Sequence, residues 1–167
     1  MIVIVTGASG AGKTTLVRAL EARALPGVRC HYLDSLGVPS GEEMIAEYGS
    51  TAAWQEAMTR RWITRLQKEA APIAVLDGQV DIAMARDCLA DAGGPPSRII
   101  LIDCANAVRA TRLRELRGRP ELASRDMAVW ATFLRWQAGS LGYPVIDTST
   151  SPVETSADAL ARSVLAS

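Results

Sequence analysis

Gly7-Ala8-Ser9-Gly10-Ala11-Gly12-Lys13-Thr14 has the spacing G-x-x-x-x-G-K-[ST], which is typical of a phosphate-binding loop of the Walker A type. The apolar run at residues 1–5 precedes it and is short enough for a buried strand, and residues 15–20 have the apolar spacing of a helix. Glycine lets the backbone approach an anion closely, and the free N–H groups at a helix start attract phosphate. The stretch therefore predicts a nucleoside triphosphate site, in which Lys13 reaches the β- and γ-phosphates and the Thr14 hydroxyl holds Mg²⁺.

Length and composition predict one globular domain over residues 1–167. Of the 167 residues, 49% are hydrophobic, which is enough for a full core and excludes a disordered chain. No apolar run approaches the roughly 20 residues of a membrane span, and the N-terminal apolar run lacks the basic leader of a signal peptide. We therefore expect a cytoplasmic protein with no membrane partner. Basic and acidic residues number 18 each, so the charge balance favours no nucleic-acid partner. A monomer and a homodimer both fit the sequence.

Predicted strands alternate with predicted helices along the whole chain. The strand patterns lie at about residues 2–6, 28–33, 72–78, 98–103 and 143–147. Helices are expected at about residues 13–24, 51–70, 80–92 and 125–141, with shorter ones capped by Ser40, Asn106 and Ser151. This alternation indicates an α/β protein with a parallel sheet covered on both faces. The carboxyl ends of the strands then share one edge, where ligands bind.

Carboxylates at the predicted strand ends are candidates for chemistry. Asp77 and Asp103 each end an apolar strand, and either could hold the metal beside Thr14; the pattern favours Asp77, and a structural turn is the alternative for both. Asp34 follows the second strand and could orient an acceptor hydroxyl and take its proton, or simply begin a turn. His31, the one histidine, is interpreted as a hydrogen-bonded structural residue.

The chain resembles P-loop small-molecule and nucleotide kinases of the adenylate kinase and shikimate kinase type. Leu76-Asp77-Gly78 is similar to their strand-3 motif, and Ile102-Asp103 followed by Arg109, Arg112 and Arg117 resembles the strand-4 segment that leads into an arginine-bearing lid. The resemblance implies a three-layer α/β/α P-loop NTPase fold with a five-stranded parallel sheet in the order 2-3-1-4-5. It also implies ATP and Mg²⁺ as ligands, and a short lid at about residues 112–126.

Arginines around the predicted lid could neutralise the charge that develops during transfer. Arg112, Arg117, Arg119 and Arg125 flank a Gly-Pro break, and at least two are expected to act; the alternative is a solvated face with salt bridges to nearby glutamates. We assign Arg117 and Arg125 to catalysis together with Lys13 and Asp34, and Thr14 and Asp77 to the metal. The predicted nucleotide-binding residues are Gly7, Ala8, Ser9, Gly10, Ala11, Gly12, Lys13, Thr14, Thr15 and Arg112.

The acceptor is the part of the reaction that the resemblance leaves open. Monophosphate kinases carry an arginine where this chain has Asp81, and an aspartate would repel an acceptor phosphate. Tyr32-Leu33-Asp34-Ser35 is more similar to the strand-2 end of shikimate kinases, where an aspartate contacts the acceptor hydroxyl. The sequence thus predicts a kinase that transfers the γ-phosphoryl group of Mg·ATP to a small hydroxylated molecule, with an antibiotic-modifying kinase as a variant of this class. The alternative is a nucleotide-binding regulatory ATPase or switch with no small-molecule acceptor.

Overall fold

The computed structural model describes residues 1–166, which contain a five-stranded parallel sheet in the order β2-β3-β1-β4-β5. The predicted fold class and strand order are confirmed. The strands are β1 (Ile2–Thr6), β2 (Val28–Tyr32), β3 (Ile73–Asp77), β4 (Ser97–Asp103) and β5 (Val145–Asp147).

The described residues form seven helices beside the sheet: α1 (Lys13–Ala22), α2 (Gly41–Tyr48), α3 (Thr51–Leu66), α4 (Ile82–Asp91), α5 (Asn106–Thr111), α6 (Arg125–Leu141) and α7 (Val153–Leu165). Two 3₁₀ turns, Leu33–Leu36 and Pro120–Leu122, and one π-helical turn, Arg112–Leu116, complete the described elements. Within residues 1–166, no helix is both long and apolar enough to cross a membrane.

The central strand β1 is buried on both faces and divides the core into two layers. Ile2 and Ile4 pack towards α3, α4 and α6, whereas Val3 and Val5 pack towards α1 and α7. Side chains alternate between the faces of a strand, so one apolar run supplies both layers. The apolar stripe of α3 lies in the first layer, and its members Trp54, Met58, Trp62 and Leu66 are all buried.

Three predicted helix starts have different outcomes. The capping box of Ser40 and Glu43 is present at α2. At α7 the predicted cap at Ser151 is wrong, because Pro152 takes the N-cap position and no side chain caps this helix among the described residues. At α5, Asn106 is the first helical residue instead of the cap, and its side-chain oxygen accepts from Arg109.

The parallel register brings the predicted functional segments to one edge of the sheet. Asp77, the last residue of β3, pairs with Val5 of β1 on one side and with Tyr32 of β2 on the other. The phosphate-binding loop leaves β1 directly after this point, and Asp34 lies in the 3₁₀ turn that follows β2. The carboxyl edge of the sheet therefore holds the loop and both carboxylates.

Candidate functional site

The loop between β1 and α1 requires glycine where it passes closest to the sheet. Gly7, Gly10 and Gly12 have φ angles of 153°, 82° and 99°, which side chains rarely allow. A Cβ at Gly7 would lie 2.1 Å from the carbonyl oxygen of Ile102 in β4. Gly12 precedes α1, whose start has no side-chain cap among the described residues. The first N–H groups of α1 are thus left for an anion.

The side chains of Lys13, Thr14 and Asp77 form one electrostatically coupled group at the end of the loop. The Thr14 hydroxyl donates to Asp77 Oδ2 at 2.6 Å, and Lys13 Nζ donates to the carbonyl oxygen of Ala8 at 3.3 Å. Burial lowers the pKa of Lys13, and the charge of Asp77 opposes this shift. Burial likewise raises the pKa of Asp77, against the charge of Lys13 and the Thr14 hydrogen bond. The positive charge of Lys13 and the negative charge of Asp77 therefore stabilise each other in part, but burial remains the larger effect on each pKa.

Asp77 has the oxygen that a magnesium site needs. Its second carboxylate oxygen, Oδ1, is buried and has no hydrogen-bond partner among the described residues. An unpaired buried carboxylate oxygen is costly unless a cation or an ordered water satisfies it. A carboxylate beside a threonine hydroxyl is the all-oxygen donor set that Mg²⁺ prefers. Thr14 and Asp77 consequently fit the ion that the sequence predicted for them.

Asp103, the other strand-end candidate, has a different partner. Its Oδ2 accepts a hydrogen bond from the guanidinium of Arg135 in α6, which also donates to the carbonyl oxygen of Cys104 at 3.4 Å. This ion pair gives Asp103 the structural role that was the alternative in the sequence. Arg135 was missed, because nothing in its sequence neighbourhood marks it as the partner of a strand end.

A cavity of about 590 Å³ opens over the phosphate-binding loop. Its walls come from the loop, α1, the π-helical turn and the segment after β5, and they include Gly10, Gly12, Lys13, Thr14, Thr15, Arg18, Arg112, Leu116, Arg117, Thr148 and Ser156. Arg112 donates to the hydroxyl of Thr148 at 2.9 Å and to its carbonyl oxygen at 2.6 Å. The charge of Arg117 reaches Lys13, since it contributes to the lowered pKa of that lysine after burial. The cavity therefore lies next to the first N–H groups of α1 and has cationic side chains in its walls.

The predicted lid arginines separate into two pairs. Arg112 and Arg117 line the cavity, at the start and just after the end of the π-helical turn. Arg119 forms an ion pair with Glu121, as the solvated-face alternative expected, and Arg125 lies exposed at the start of α6, outside the described cavity lining. The structure thus brings one of the two predicted catalytic arginines, Arg117, into the cavity.

Asp34 and His31 lie on either side of the end of β2. Asp34 is exposed, and its charge acts on the pKa of both Lys13 and Asp77, so all three lie within electrostatic reach of one another. His31 Nε2 lies 3.0 Å from a carboxylate oxygen of Glu69, and its ring lies against Trp62. His31 has the structural role that the sequence favoured, whereas Asp34 is open to a bound molecule.

A second cavity, of about 670 Å³, lies between α2, α3, the start of α4 and α6, and we call it the α3–α4 cavity. It adjoins the phosphate-binding loop through Gln79, whose side-chain oxygen accepts a hydrogen bond from the Ser9 hydroxyl at 2.9 Å. Gln79, Trp54 and Trp130 line it and were not predicted as site residues. Asp81, predicted from the sequence to disfavour a phosphate, lies in the same wall.

Solved structures with the same architecture show which fold this is. No protein-family model matches the chain, and a search of curated proteins found no match. Shikimate kinase from Acinetobacter baumannii in complex with shikimate superposes with a TM-score of 0.65 at 16% identity, over 98% of this chain and 92% of that one. The chain has a P-loop kinase fold.

Two further structures extend this comparison. A gluconokinase from Sinorhizobium meliloti has a TM-score of 0.61 at 18% identity, over 97% of this chain and 92% of that one. The tunicamycin resistance protein of Deinococcus radiodurans has a TM-score of 0.71 at 20% identity, over 99% of this chain and 96% of that one. At sequence identities this low, the comparison shows a shared fold and does not identify the substrate. Among proteins with this P-loop kinase fold are therefore small-molecule kinases, and the acceptor must be argued from the residues of this chain.

Proposed function

We propose that the protein is a kinase that transfers the γ-phosphoryl group of Mg·ATP to a hydroxyl group of a small acceptor. The observation that carries this proposal is the contact between Thr14 and Asp77 at 2.6 Å, with the second oxygen of Asp77 buried, unpaired within residues 1–166 and in electrostatic reach of Lys13. This arrangement has the parts that phosphoryl transfer requires at the end of a phosphate-binding loop. The fold shared with small-molecule kinases supports the same reaction class.

The loop and the start of α1 bind and orient the triphosphate in this proposal. Backbone N–H groups after Gly12 face the phosphates, and Lys13 contributes a positive charge that is already partly desolvated. Thr14 and Asp77 would hold Mg²⁺, which supplies positive charge to the phosphate oxygens when bound. Each of these electrostatic interactions is stronger in a desolvated site, because the local dielectric constant is lower than in water.

Arginines beside the cavity stabilise the transferred group. Arg112 is held by Thr148 through two hydrogen bonds, which fixes its guanidinium against the segment after β5. Arg117 follows the π-helical turn and precedes Gly118, a position from which a small backbone change can bring it closer to the phosphates. We propose that the segment 112–126 is the lid, with Arg125 at its exit in α6.

Asp34 is proposed as the residue that orients the acceptor hydroxyl and receives its proton. The carboxylate is exposed, follows β2 at the carboxyl edge, and lies close enough to Lys13 and Asp77 to affect their pKa. In the transfer, the acceptor oxygen forms a bond to the γ-phosphorus while the bond to the β–γ bridging oxygen breaks. The acceptor proton goes to Asp34, and ADP leaves with the bridging oxygen.

The test is ADP release from Mg·ATP by the purified protein, alone and with pools of hydroxylated acceptors. The two lysines of the chain provide a matched pair, since Lys13 lies in the site and Lys68 is exposed after α3. We expect release that depends on one pool, is lost in Lys13→Ala and is unchanged in Lys68→Ala. Release that survives in Lys13→Ala would overturn the proposal, and slow release indifferent to every pool would favour the regulatory ATPase.

A second variant separates the role of Asp34 from nucleotide binding. Asp34→Asn keeps the size of the side chain and removes the proton acceptor. We expect transfer to be lost while ATP affinity, measured by calorimetry, stays as in the wild type. Full transfer activity in Asp34→Asn would rule out this role and leave Asp34 as a turn residue.

A further inference from the structure

The charge of the α3–α4 cavity differs from what an anionic acceptor requires. Its charged lining residues are two carboxylates, Glu56 and Asp81, and within residues 1–166 no lysine, arginine or histidine lines it. Glu56 is bonded to Arg60, whose guanidinium also pairs with Asp91 on the outer surface. Asp81 has no such cation in its described hydrogen bonds. Asp81 thus leaves a negative charge with no described cation partner in the wall, and a phosphate or carboxylate placed here would meet it.

Asp81 is fixed in this position by neutral groups. Its Oδ1 accepts from the backbone N–H of Met84 at 2.8 Å and so caps α4, and both its oxygens accept from the amide of Gln137 at 3.1 and 3.2 Å. Gln137 is buried and also accepts from the N–H of Ile82 at 3.1 Å. Neutral donors hold the carboxylate in place but leave its net charge in the cavity wall.

Amide and aromatic groups form the rest of the wall. Gln55 donates to the carbonyl oxygen of Gln79 at 2.6 Å and accepts from the N–H of Asp81 at 3.2 Å, so these three residues form one connected network. Trp54 and Trp130 add aromatic surface to the same cavity, and methionines from α2 and α4 add flexible apolar surface. Such a wall suits a molecule with an apolar face and uncharged hydrogen-bonding groups.

The cavity adjoins the phosphate-binding loop through one hydrogen bond. Ser9 of the phosphate-binding loop donates to Gln79, which lines the α3–α4 cavity two residues after Asp77. We propose that the acceptor is a hydroxylated compound with no anionic group, neutral or cationic, that binds in the α3–α4 cavity with an apolar face towards Trp54 and Trp130. This inference rests on the proposed kinase function and adds the acceptor class to it.

Pairs of compounds that differ by one anionic group test whether the acceptor lacks such a group. Thymidine is compared with thymidine monophosphate, and methyl shikimate with shikimate, alongside pools of hydroxylated amines and of sugar acids. Binding to the protein without nucleotide is measured by saturation-transfer NMR, and turnover by Lys13-dependent ADP release. We expect binding and turnover only with neutral or cationic compounds. Binding that is confined to the anionic probes would overturn the inference, and so would the absence of binding in every pool.

Two variants place the site and distinguish this inference from the kinase function. Met84→Trp should fill the cavity and raise the KM for the acceptor by about tenfold or more, equivalent to ~1.4 kcal/mol, with little change in the KM for ATP. Asp81→Asn keeps the helix cap and should reduce the preference for the neutral member of each matched pair. The loss of a purely structural residue would leave this preference unchanged. An unchanged preference would therefore overturn the role of Asp81, even if Met84→Trp fails to fold. Trp136→Ala, on the exposed face of α6, is the control. Lys13-dependent turnover of anionic acceptors would refute the inference alone, whereas no Lys13-dependent turnover would refute the kinase.

Discussion

Replacing Gly7 with alanine should destabilise the whole fold, and not only the phosphate site. The new Cβ would lie 2.1 Å from the carbonyl oxygen and 3.2 Å from the carbonyl carbon of Ile102. Ile102 is fully buried in β4 and pairs with Ile146 of β5, so this backbone has no room to withdraw. A clash with backbone cannot be relieved by a change of rotamer, and either the loop or β4 must shift.

The size of the effect follows from two contributions. A non-glycine residue at a φ of 153° carries strain of about 1–3 kcal/mol. Forcing additional atoms into a packed core costs a further 1–3 kcal/mol or so. The sum of about 2–6 kcal/mol is a large part of the roughly 5–15 kcal/mol by which domains are stable. For a chain of this size it corresponds to a fall in Tm of about 5–20 °C.

Urea and thermal denaturation followed by circular dichroism measure this difference. Gly139→Ala is the matched control, because Gly139 lies inside α6 with nothing within 4 Å of its Cβ position. We expect this control to be more stable than the wild type by about 0.5–1 kcal/mol. A Tm for Gly7→Ala within about 2 °C of the wild type would refute the argument from the close approach, as this corresponds to less than 1 kcal/mol.

Three further predictions concern the site and its support. Burial raises the folded pKa of Asp77 above its unfolded value, so its contribution is favourable at low pH and is lost as the pH rises through the folded pKa. The wild-type protein should therefore lose stability relative to Asp77→Asn as the pH rises above the ordinary pKa of an aspartate, a trend that urea denaturation would contradict if the two curves stay parallel. Arg112→Lys keeps the charge but loses the paired bonds to Thr148, so ATP affinity measured by calorimetry should fall several-fold, whereas an unchanged Kd would exclude a fixed role for the guanidinium. Gln137→Leu leaves the N–H of Ile82 and the carboxylate of Asp81 without their buried partner and should lower the free energy of unfolding by about 1–3 kcal/mol; a stability equal to the wild type would show that water replaces the amide.

Local sequence signals predicted the sheet well, because the strands are short apolar runs, or in β2 an alternating apolar and polar run, next to a glycine or proline break. The order β2-β3-β1-β4-β5 came from the resemblance to P-loop kinases, and the structure confirms it. Helix ends were predicted less well. The helix expected at residues 51–70 ends at Leu66, and Pro152 displaces the cap expected at Ser151. Both errors concern the choice among neighbouring residues, which tertiary contacts decide.

The choice between Asp77 and Asp103 depends on a long-range contact that the local sequence does not predict. Both residues end apolar strands, and the sequence favoured Asp77 without showing what Asp103 bonds to. What separates them is Arg135, 32 residues after Asp103 in the chain, which crosses from α6 to bond its carboxylate. No such cation is bonded to Asp77 in the part of the chain that the structure describes, and one of its oxygens is left unpaired. The unpaired oxygen of Asp77 is therefore the observation that favours it over Asp103 as the proposed metal ligand.

The position of Arg112 and Arg117 depends on a feature with no sequence signature. α5 is followed directly by the π-helical turn at Arg112–Leu116. The sequence predicted only that Arg112, Arg117 and Arg119 flank a Gly-Pro break. The structure has Arg112 and Arg117 at the cavity and Arg119 paired with Glu121.

Asp81 connects the sequence prediction to the proposed acceptor. From the sequence, an aspartate in place of an arginine indicated only that a phosphate is disfavoured. In the structure the same carboxylate caps α4 and is held by Gln137, so its position is fixed by the fold and not by a ligand. A residue that is fixed in this way cannot move aside to admit an anion without uncapping the helix. The preference for an acceptor without negative charge would then be a property of the scaffold, and relaxing it requires a neutral cap such as asparagine at this position.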